Sequence, residues 1–264
     1  MADFDIEDVT ELAGEAGRLA LNHFGRVRAL RKPDESFVTA ADREVEELVR
    51  GRLAELTPDY WVLGEEQGVP AKVDLEAPYW VVDPVDGTSS FISGLPCWSF
   101  SLGLVENDRA RFGLVYMPMT GEMYNTDAEG TRVFLNGEPC LAEPPEELDG
   151  ESVIYVPSDT HRRYEIAFKG KLRSLGSAAY QGIMTSKART AGVLQGRIYL
   201  WDAAAGLALN RAWGIRVGTL GGRPLRPSEW EMNRKYPEPI LYAAPSLFDT
   251  VAAMITLRKD SRPG

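Results

Sequence analysis

Residues 79–91 read Tyr79-Trp-Val-Val-Asp-Pro-Val-Asp-Gly-Thr-Ser-Ser-Phe91. An apolar run of strand-forming residues passes directly into Asp83 and Asp86, then Gly87 and Thr88, so two carboxylates sit where a strand ends. Strand ends aim side chains into a crevice, and Pro84 stiffens the turn so that both acids can converge. Oxygen donors without histidine or cysteine suit a hard cation, Mg²⁺ or Mn²⁺. Gly87 lets a ligand approach the backbone, and the amides of Gly87, Thr88 and Ser89 would face a phosphate if a helix starts there. Asp, Pro and Gly are also ordinary turn residues, so a plain turn capped by Asp83 remains open at this point.

Three further acidic positions recur at element boundaries. Glu65-Glu66 follows the apolar run Tyr60-Trp-Val-Leu63 and Gly64, and two adjacent carboxylates need a cation nearby if they are even partly buried. A solvated charged turn is the plain alternative. Asp202 stands between Ile198-Tyr-Leu-Trp201 and the small-residue run Ala203-Ala-Ala-Gly206, and Asp42 follows Val38-Thr-Ala-Ala41 at the head of a helix. Helix N-capping explains either acid, and it does not exclude chemistry.

Around these acids the periodicity predicts helices over 3–24, with Gly25 as C-terminal cap, and from Asp42 to Leu56, ended with the help of Pro58. A loop containing Pro33 joins them. Strands are predicted over 60–63, 79–82, 99–105, 112–117, 123–126 and 133–135, with tight turns at Glu106-Asn-Asp-Arg109, Pro118-Met-Thr-Gly121 and Asn136-Gly137 that favour antiparallel hairpins. Beyond the acidic, proline-containing stretch at Pro144-Pro145 the pattern alternates: strand 153–156, helix 178–194, short strand 198–200, helix 203–213, strand 240–243 and a helix over 246–257 capped by Ser246. The class is α/β in the broad sense, mixed α+β. It divides into a half over 1–145 that carries most of the acids and a half over 146–264 that carries Asp202, packed as one unit.

With 264 residues, 44% of them hydrophobic, the chain can bury a sizeable core. Its formal charge of -10 lacks the basic field used by nonspecific nucleic-acid binders, and no stretch approaches the roughly 20 apolar residues of a membrane span. The start, Met1-Ala-Asp-Phe-Asp-Ile-Glu7, has neither the basic opening nor the apolar run of a signal peptide, so we expect a soluble, cytoplasmic protein with no nucleic-acid or membrane partner. Cys97 and Cys140, the two cysteines, form no disulfide framework and no metal signature. His23 and His161 lie outside every motif, which leaves little support for a zinc site or a histidine nucleophile.

Together these pieces resemble the inositol monophosphatase family. Val38-Thr-Ala-Ala-Asp42 is similar to that family's Val-Thr-x-x-Asp, Gly64-Glu65-Glu66 to its Gly-Glu-Glu, and Asp83-Pro-Val-Asp-Gly-Thr88 with Ser90-Phe91 and Gly94-Leu-Pro96 to its central signature. Gly176-Ser-Ala178 and Trp201-Asp-Ala-Ala-Ala-Gly206 resemble its two C-terminal motifs. The resemblance covers nearly the whole chain. It implies a layered αβαβα sandwich, usually dimeric, that hydrolyses a small phosphorylated metabolite with two or three Mg²⁺ ions. By motif position Glu65, Asp83 and the Val85 carbonyl would hold one metal, and Asp83, Asp86 and Asp202 a second. Glu66 would place a third ion or its water, and Asp42 with Thr88 would activate the attacking water. Asp86, Gly87, Thr88, Ser89, Ser177 and Asp202 would contact the substrate.

Departures from the family pattern concern the substrate. Gln195-Gly-Arg-Ile-Tyr-Leu-Trp201 is short and carries no acid where inositol-phosphate hydrolases usually have one, and Asn210-Arg-Ala-Trp-Gly214 replaces the usual Glu-Ala-Gly-Gly. Ser90-Phe-Ile-Ser-Gly-Leu-Pro-Cys-Trp98 resembles the histidinol-phosphate phosphatase branch, and branches acting on fructose 1,6-bisphosphate or 3'-phosphoadenosine 5'-phosphate stay open, as does a catalytically silent regulatory protein on the same fold.

Overall fold

The structure is a computed structural model that describes residues 4–26, 29–32, 37–69, 77–231 and 234–258; the loop around Pro33 lies outside these. Along the chain run α1 (Ile6–His23), β1 (Leu30–Arg31), β2 (Phe37–Val38), α2 (Ala40–Leu56), β3 (Trp61–Gly64), β4 (Tyr79–Asp86), α3 (Thr88–Ile92), β5 (Ser99–Glu106), β6 (Arg109–Met117), β7 (Glu122–Thr126), β8 (Val133–Leu135) and β9 (Glu138–Pro139). There follow β10 (Val153–Tyr155), α4 (Thr160–Arg163), β11 (Tyr164–Ile166), β12 (Lys171–Arg173), α5 (Ala178–Ile183), β13 (Thr190–Gln195), α6 (Leu200–Ala212), β14 (Arg216–Thr219), β15 (Ile240–Ala243), α7 (Phe248–Ala253) and β16 (Ile255–Leu257).

Strands β3 to β9 form one seven-stranded sheet in chain order, antiparallel except for the parallel pair β3–β4. The second sheet has the order β12-β10-β13-β15-β14, with β12, β10 and β13 parallel. Helices α1 and α2 cover one face of the first sheet, α5 and α6 fill the space between the two sheets, and α7 packs on the outer face of the second. The result is the αβαβα layering. Val9, Leu12, Ala13, Ala16 and Ala20 of α1 and Val45, Val49 and Leu53 of α2 bury one helical stripe each against Trp80, Val82, Leu102 and Leu104.

The seating of α6 decides where Asp202 lies. Gly103 and Gly113 are cross-strand partners on β5 and β6, and the Ala203-Ala-Ala-Gly206 run rests on the bare patch they make. A Cβ on Gly113 would stand 2.4 Å from the Ala205 carbonyl oxygen, so only glycine admits the helix at this depth. Gly113→Ala should therefore lower stability by about 2 kcal/mol, the usual range for overpacking, read as a lower urea midpoint, and should also reduce activity by shifting Asp202.

Several expected elements differ. The span 178–194 is not one helix: α5 ends at Ile183, a 3₁₀ turn covers Met184–Ser186, and β13 begins at Thr190. Every residue of β13 is buried, so the strand shows no alternation and its apolar run reads equally well as helix. Residues 198–200 are not a strand; Leu200 opens α6, with Tyr199 before it as the N-cap residue. The last helix covers only Phe248–Ala253, its N-cap is Leu247 rather than Ser246, and Ile255–Leu257 forms β16 against β11. Strands β11, β12 and β14 are short pieces with too little pattern to read. Cys97 and Cys140 are both free thiols.

Candidate metal centre

In a regular strand residues three apart face opposite sides, so Asp83 and Asp86 would diverge. They do not, because the β4–β5 pairing slips between them: Asp83 pairs with Ser101, Asp86 pairs with Ser99, and Pro84-Val85 form an irregularity that turns both acids to one side. All eight residues of β4 are buried, so this irregularity delivers the two carboxylates into the interior.

Asp202 arrives from α6. Asp42 and Asp202 were each candidates for a helix N-cap; both instead occupy the third helical position and reach back to the N-cap backbone. The Thr39 amide donates to Asp42 Oδ2 at 2.8 Å and the Tyr199 amide to Asp202 Oδ2 at 2.8 Å. Each acid is thus fixed through one oxygen, which leaves the other for the site. One oxygen from each of Asp83, Asp86 and Asp202 lies within 4.8 Å of the others.

Asp86 is the most tightly held of the three. Its Oδ2 accepts from the Ala179 amide at 2.7 Å and from the Ser177 hydroxyl, with Ser99 Oγ at 3.4 Å, and its Oδ1 accepts from the Ala178 amide at 3.1 Å. Among the described residues, Asp83 Oδ1 accepts from the Val85 amide alone, at 3.1 Å. Burial raises the pKa of all three, Asp83 and Asp202 most, and the repulsion of the neighbouring carboxylates, Glu65 among them, raises those two further. Lys235, whose Nζ stands 5.2 Å over the Tyr199 ring, pulls Asp202 back.

Glu65 and Glu66 sit at the end of β3, where a cation does offset them: Lys32 Nζ donates to Glu65 Oε1 at 2.9 Å and to Glu66 Oε1 at 2.5 Å. Even so burial, against the pull of Lys32, lifts Glu65 to about 7, and burial also raises Glu66. Burial works to lower the Lys32 ammonium, and the two glutamates overcome it, so its net pKa rises. Behind them the fully buried Glu46 accepts the Glu66 and Gln67 amides and pairs with Arg50 Nε at 2.9 Å, which fixes the turn.

Thr88 opens the short helix α3 after Gly87, whose left-handed backbone (φ 92°) and lack of a Cβ let the chain pass Ser177 and the Cys97 carbonyl. The helix thus begins where the amides of Gly87, Thr88 and Ser89 were expected at its head. The Thr88 hydroxyl lies 3.1 Å from the Val85 carbonyl and 3.4 Å from Asp42 Oδ1. Asp42 also accepts from Thr39 Oγ1, and burial raises its pKa against these hydrogen bonds.

The residues fit a divalent cation. The buried carboxylates of Asp83 and Asp86 and the half-buried one of Asp202 converge with raised pKa values, the Lys32 ammonium engages Glu65 and Glu66, and Ser101 Oγ, buried across the strand from Asp83, has no hydrogen-bond partner among the described residues. Lys32, Ser99, Ser101 and Lys235 escape a reading of the sequence. Lys32 and Lys235 belong to loops without periodicity, and the serines sit on an ordinary buried strand. Glu46 leaves a signal, since it falls four residues after Asp42 on the apolar stripe of α2.

Comparison with known proteins agrees. The model of the inositol monophosphatase family matches residues 3–253, and the chain belongs to that family. A fructose-1,6-bisphosphatase/inositol-1-monophosphatase of Thermotoga maritima is 33% identical over 228 residues, covering 84% of this chain and 85% of its own. A histidinol-phosphatase of Chlorobaculum parvum is 29% identical, covering 76% and 80%. Among solved structures, an IMPase of Thermotoga maritima superposes with a TM-score of 0.79 at 27% identity over 94% of this chain and 95% of that one.

Proposed function

We propose that this chain hydrolyses a small phosphate monoester with the aid of Mg²⁺ held by Asp83, Asp86 and Asp202, with Glu65 and the Val85 carbonyl completing a second position and Glu66 beside it. The observation that carries this reading is the triad of carboxylates, Asp83 and Asp86 buried and Asp202 half-buried, with oxygens within 4.8 Å of one another. When bound, the metal neutralises the phosphoryl oxygens and lowers the pKa of the attacking water. Hard oxygen donors throughout the site favour Mg²⁺ or Mn²⁺ over softer ions.

The protein's own residues supply orientation and proton movement. Thr88 Oγ1 accepts a proton from the attacking water as its own passes to Asp42 Oδ1, whose raised pKa makes it a competent acceptor. Asp42 holds its place through Thr39. Gly87, Thr88 and Ser89 offer backbone amides to the phosphoryl oxygens, and Ser177, which donates to Asp86, would also contact the substrate. The water oxygen bonds to phosphorus in line as the ester P–O bond breaks, and the departing alkoxide takes a proton from solvent and leaves as the alcohol.

We read the halves 1–145 and 146–264 as one functional unit, because Asp202 from the second completes the acids of the first. A homodimer in the cytoplasm is the quaternary reading we favour; Leu95 and Leu141, 53% and 83% exposed, offer apolar contact surface for it. Among the described residues no helix is long and apolar enough to cross a membrane. Phosphate release from inositol 1-phosphate, fructose 1,6-bisphosphate, histidinol phosphate and 3'-phosphoadenosine 5'-phosphate, each with Mg²⁺ or with EDTA, tests the proposal. Turnover of at least one substrate in Mg²⁺ alone supports it, and equal release in EDTA would refute it.

A further inference from the structure

Strand β5 lays three small residues, Ser99, Ser101 and Gly103, along one face, because residues two apart on a strand point the same way. Phe100, Leu102 and Leu104 take the other face and pack in the core under α1 and α2. The small-residue face is turned to the layer between the sheets, where a Cβ on Gly103 would stand 2.8 Å from Ala204 Cβ of α6. Asp202 lies two residues before Ala204, and the register of β4 and β5 sets Ser101 opposite Asp83 and Ser99 opposite Asp86. Opposite residues of an antiparallel pair share a face, with Cβ atoms about 5 Å apart. Both hydroxyls therefore stand beside the acids of the site.

The two serines differ in what they touch. Ser99 Oγ lies 3.2 Å from Ser177 Oγ and 3.4 Å from Asp86 Oδ2, inside the network that holds that carboxylate. Ser101 is 1% exposed, and its Oγ has no hydrogen-bond partner among the described residues. A buried hydroxyl left unpaired costs stability, and an alanine would pack in its place without that cost. The carboxylate opposite is also only partly used. Asp83 Oδ1 accepts from the Val85 amide of its own turn, and its Oδ2 has no hydrogen-bond partner among the described residues, whereas Asp86 accepts backbone amides through both oxygens.

We infer that Ser101 is a positioning residue of the metal centre: its hydroxyl donates to Asp83 Oδ2 when the site carries its cation, and so fixes the plane of that carboxylate. The inference rests on the reading above for the cation and goes beyond it in giving Asp83 an outer partner. Carboxylates that ligate a metal are themselves hydrogen-bonded, because such partners orient them. A change of side-chain rotamer carries Ser101 Oγ toward the facing strand, and an unpaired hydroxyl gives up no bond in making it.

The test compares EDTA-stripped parent, Ser101→Ala and Ser186→Ala by calorimetric titration with Mg²⁺, by melting in EDTA and by phosphate release against Mg²⁺ concentration. Ser186 is the control, a buried hydroxyl that donates to the Ile183 carbonyl within its own turn. Ser101→Ala should raise the Mg²⁺ dissociation constant about tenfold, the lower end of the effect of removing a partner of a ligating carboxylate. Its melting temperature in EDTA should equal or exceed the parent's, since the change removes an unpaired polar atom. Half-saturating Mg²⁺ for phosphate release should rise by the same factor, with kcat at saturating Mg²⁺ unchanged. Ser186→Ala should do the reverse, melting lower and binding Mg²⁺ as the parent does. A lower melting temperature for Ser101→Ala with unaltered Mg²⁺ affinity would mark the hydroxyl as structural and overturn the inference, as would a loss of kcat that saturating Mg²⁺ does not restore. A parent chain that binds Mg²⁺ but hydrolyses none of the phosphate esters named above would overturn the phosphatase reading and leave calorimetry to decide on Ser101. No Mg²⁺ binding by the parent chain would overturn both.

Discussion

Asp83→Asn should lower Mg²⁺-dependent phosphate release by about 10³-fold, because metal stabilisation of the transition state is worth several kcal/mol and each 1.4 kcal/mol is a factor of ten. Asp83 is the cleanest of the three acids to change. Among the described residues only its Oδ1 is used by the backbone, accepting from the Val85 amide, and an asparagine can keep that bond. Asp86 is less suited, since both its oxygens accept backbone amides and a side-chain NH₂ would face one of them. Without metal, Asp83→Asn should leave the fold intact and should stabilise it at pH 8, where the parent carries the repulsion of converging carboxylates. Circular dichroism melts in EDTA read the second effect beside the kinetic one. Retained activity with unchanged Mg²⁺ dependence would remove Asp83 from the site.

The second large effect is a link between pH, metal and stability. A carboxyl whose folded pKa is raised binds more protons folded than unfolded, so it lowers stability as pH rises from its ordinary value through its folded value. Glu65, Asp83, Asp86 and Asp202 all have this sign. Glu65 alone, moved from 4.5 to about 7, accounts for about 3 kcal/mol of lost stability across that window, or roughly 10 °C in Tm for a chain of this size. Asp127 has the opposite sign, but its pKa lies below 3.8, so its stabilisation is complete throughout the same window. In EDTA the melting temperature should therefore fall between pH 5 and pH 8. Mg²⁺ binds the ionised acids, so its addition should raise Tm more at pH 8 than at pH 5.5. A flat EDTA profile, or a larger Mg²⁺ effect at the lower pH, would contradict the cluster's electrostatics.

What the sequence reveals of this site follows from how each residue is held. Asp83 and Asp86 are legible because an apolar strand carries them to its end, although the register slip that turns both to one side is a property of the β4–β5 pairing and has no mark in the chain. Asp42 and Asp202 are legible as helix-head acids, and their placement at the third helical position rather than the cap emerges only from the backbone. The alternation of strands and helices in the second half is partly hidden by burial. In β13 every residue is covered, which erases the two-residue period, and the sequence there reads as a continuation of α5. Lys32 is hidden for another reason: a loop lysine counts for little until the fold brings Glu65 and Glu66 to it.

Phosphate release measured against Mg²⁺ concentration, on protein first stripped with EDTA, tests the central claim most directly. The account predicts no release without added metal, a saturable rise with Mg²⁺, and the loss of that rise in Asp83→Asn. Release that is independent of Mg²⁺, or a Mg²⁺ dependence that survives Asp83→Asn unchanged, would show that the converging carboxylates of β4 and α6 do not hold the metal that drives the reaction.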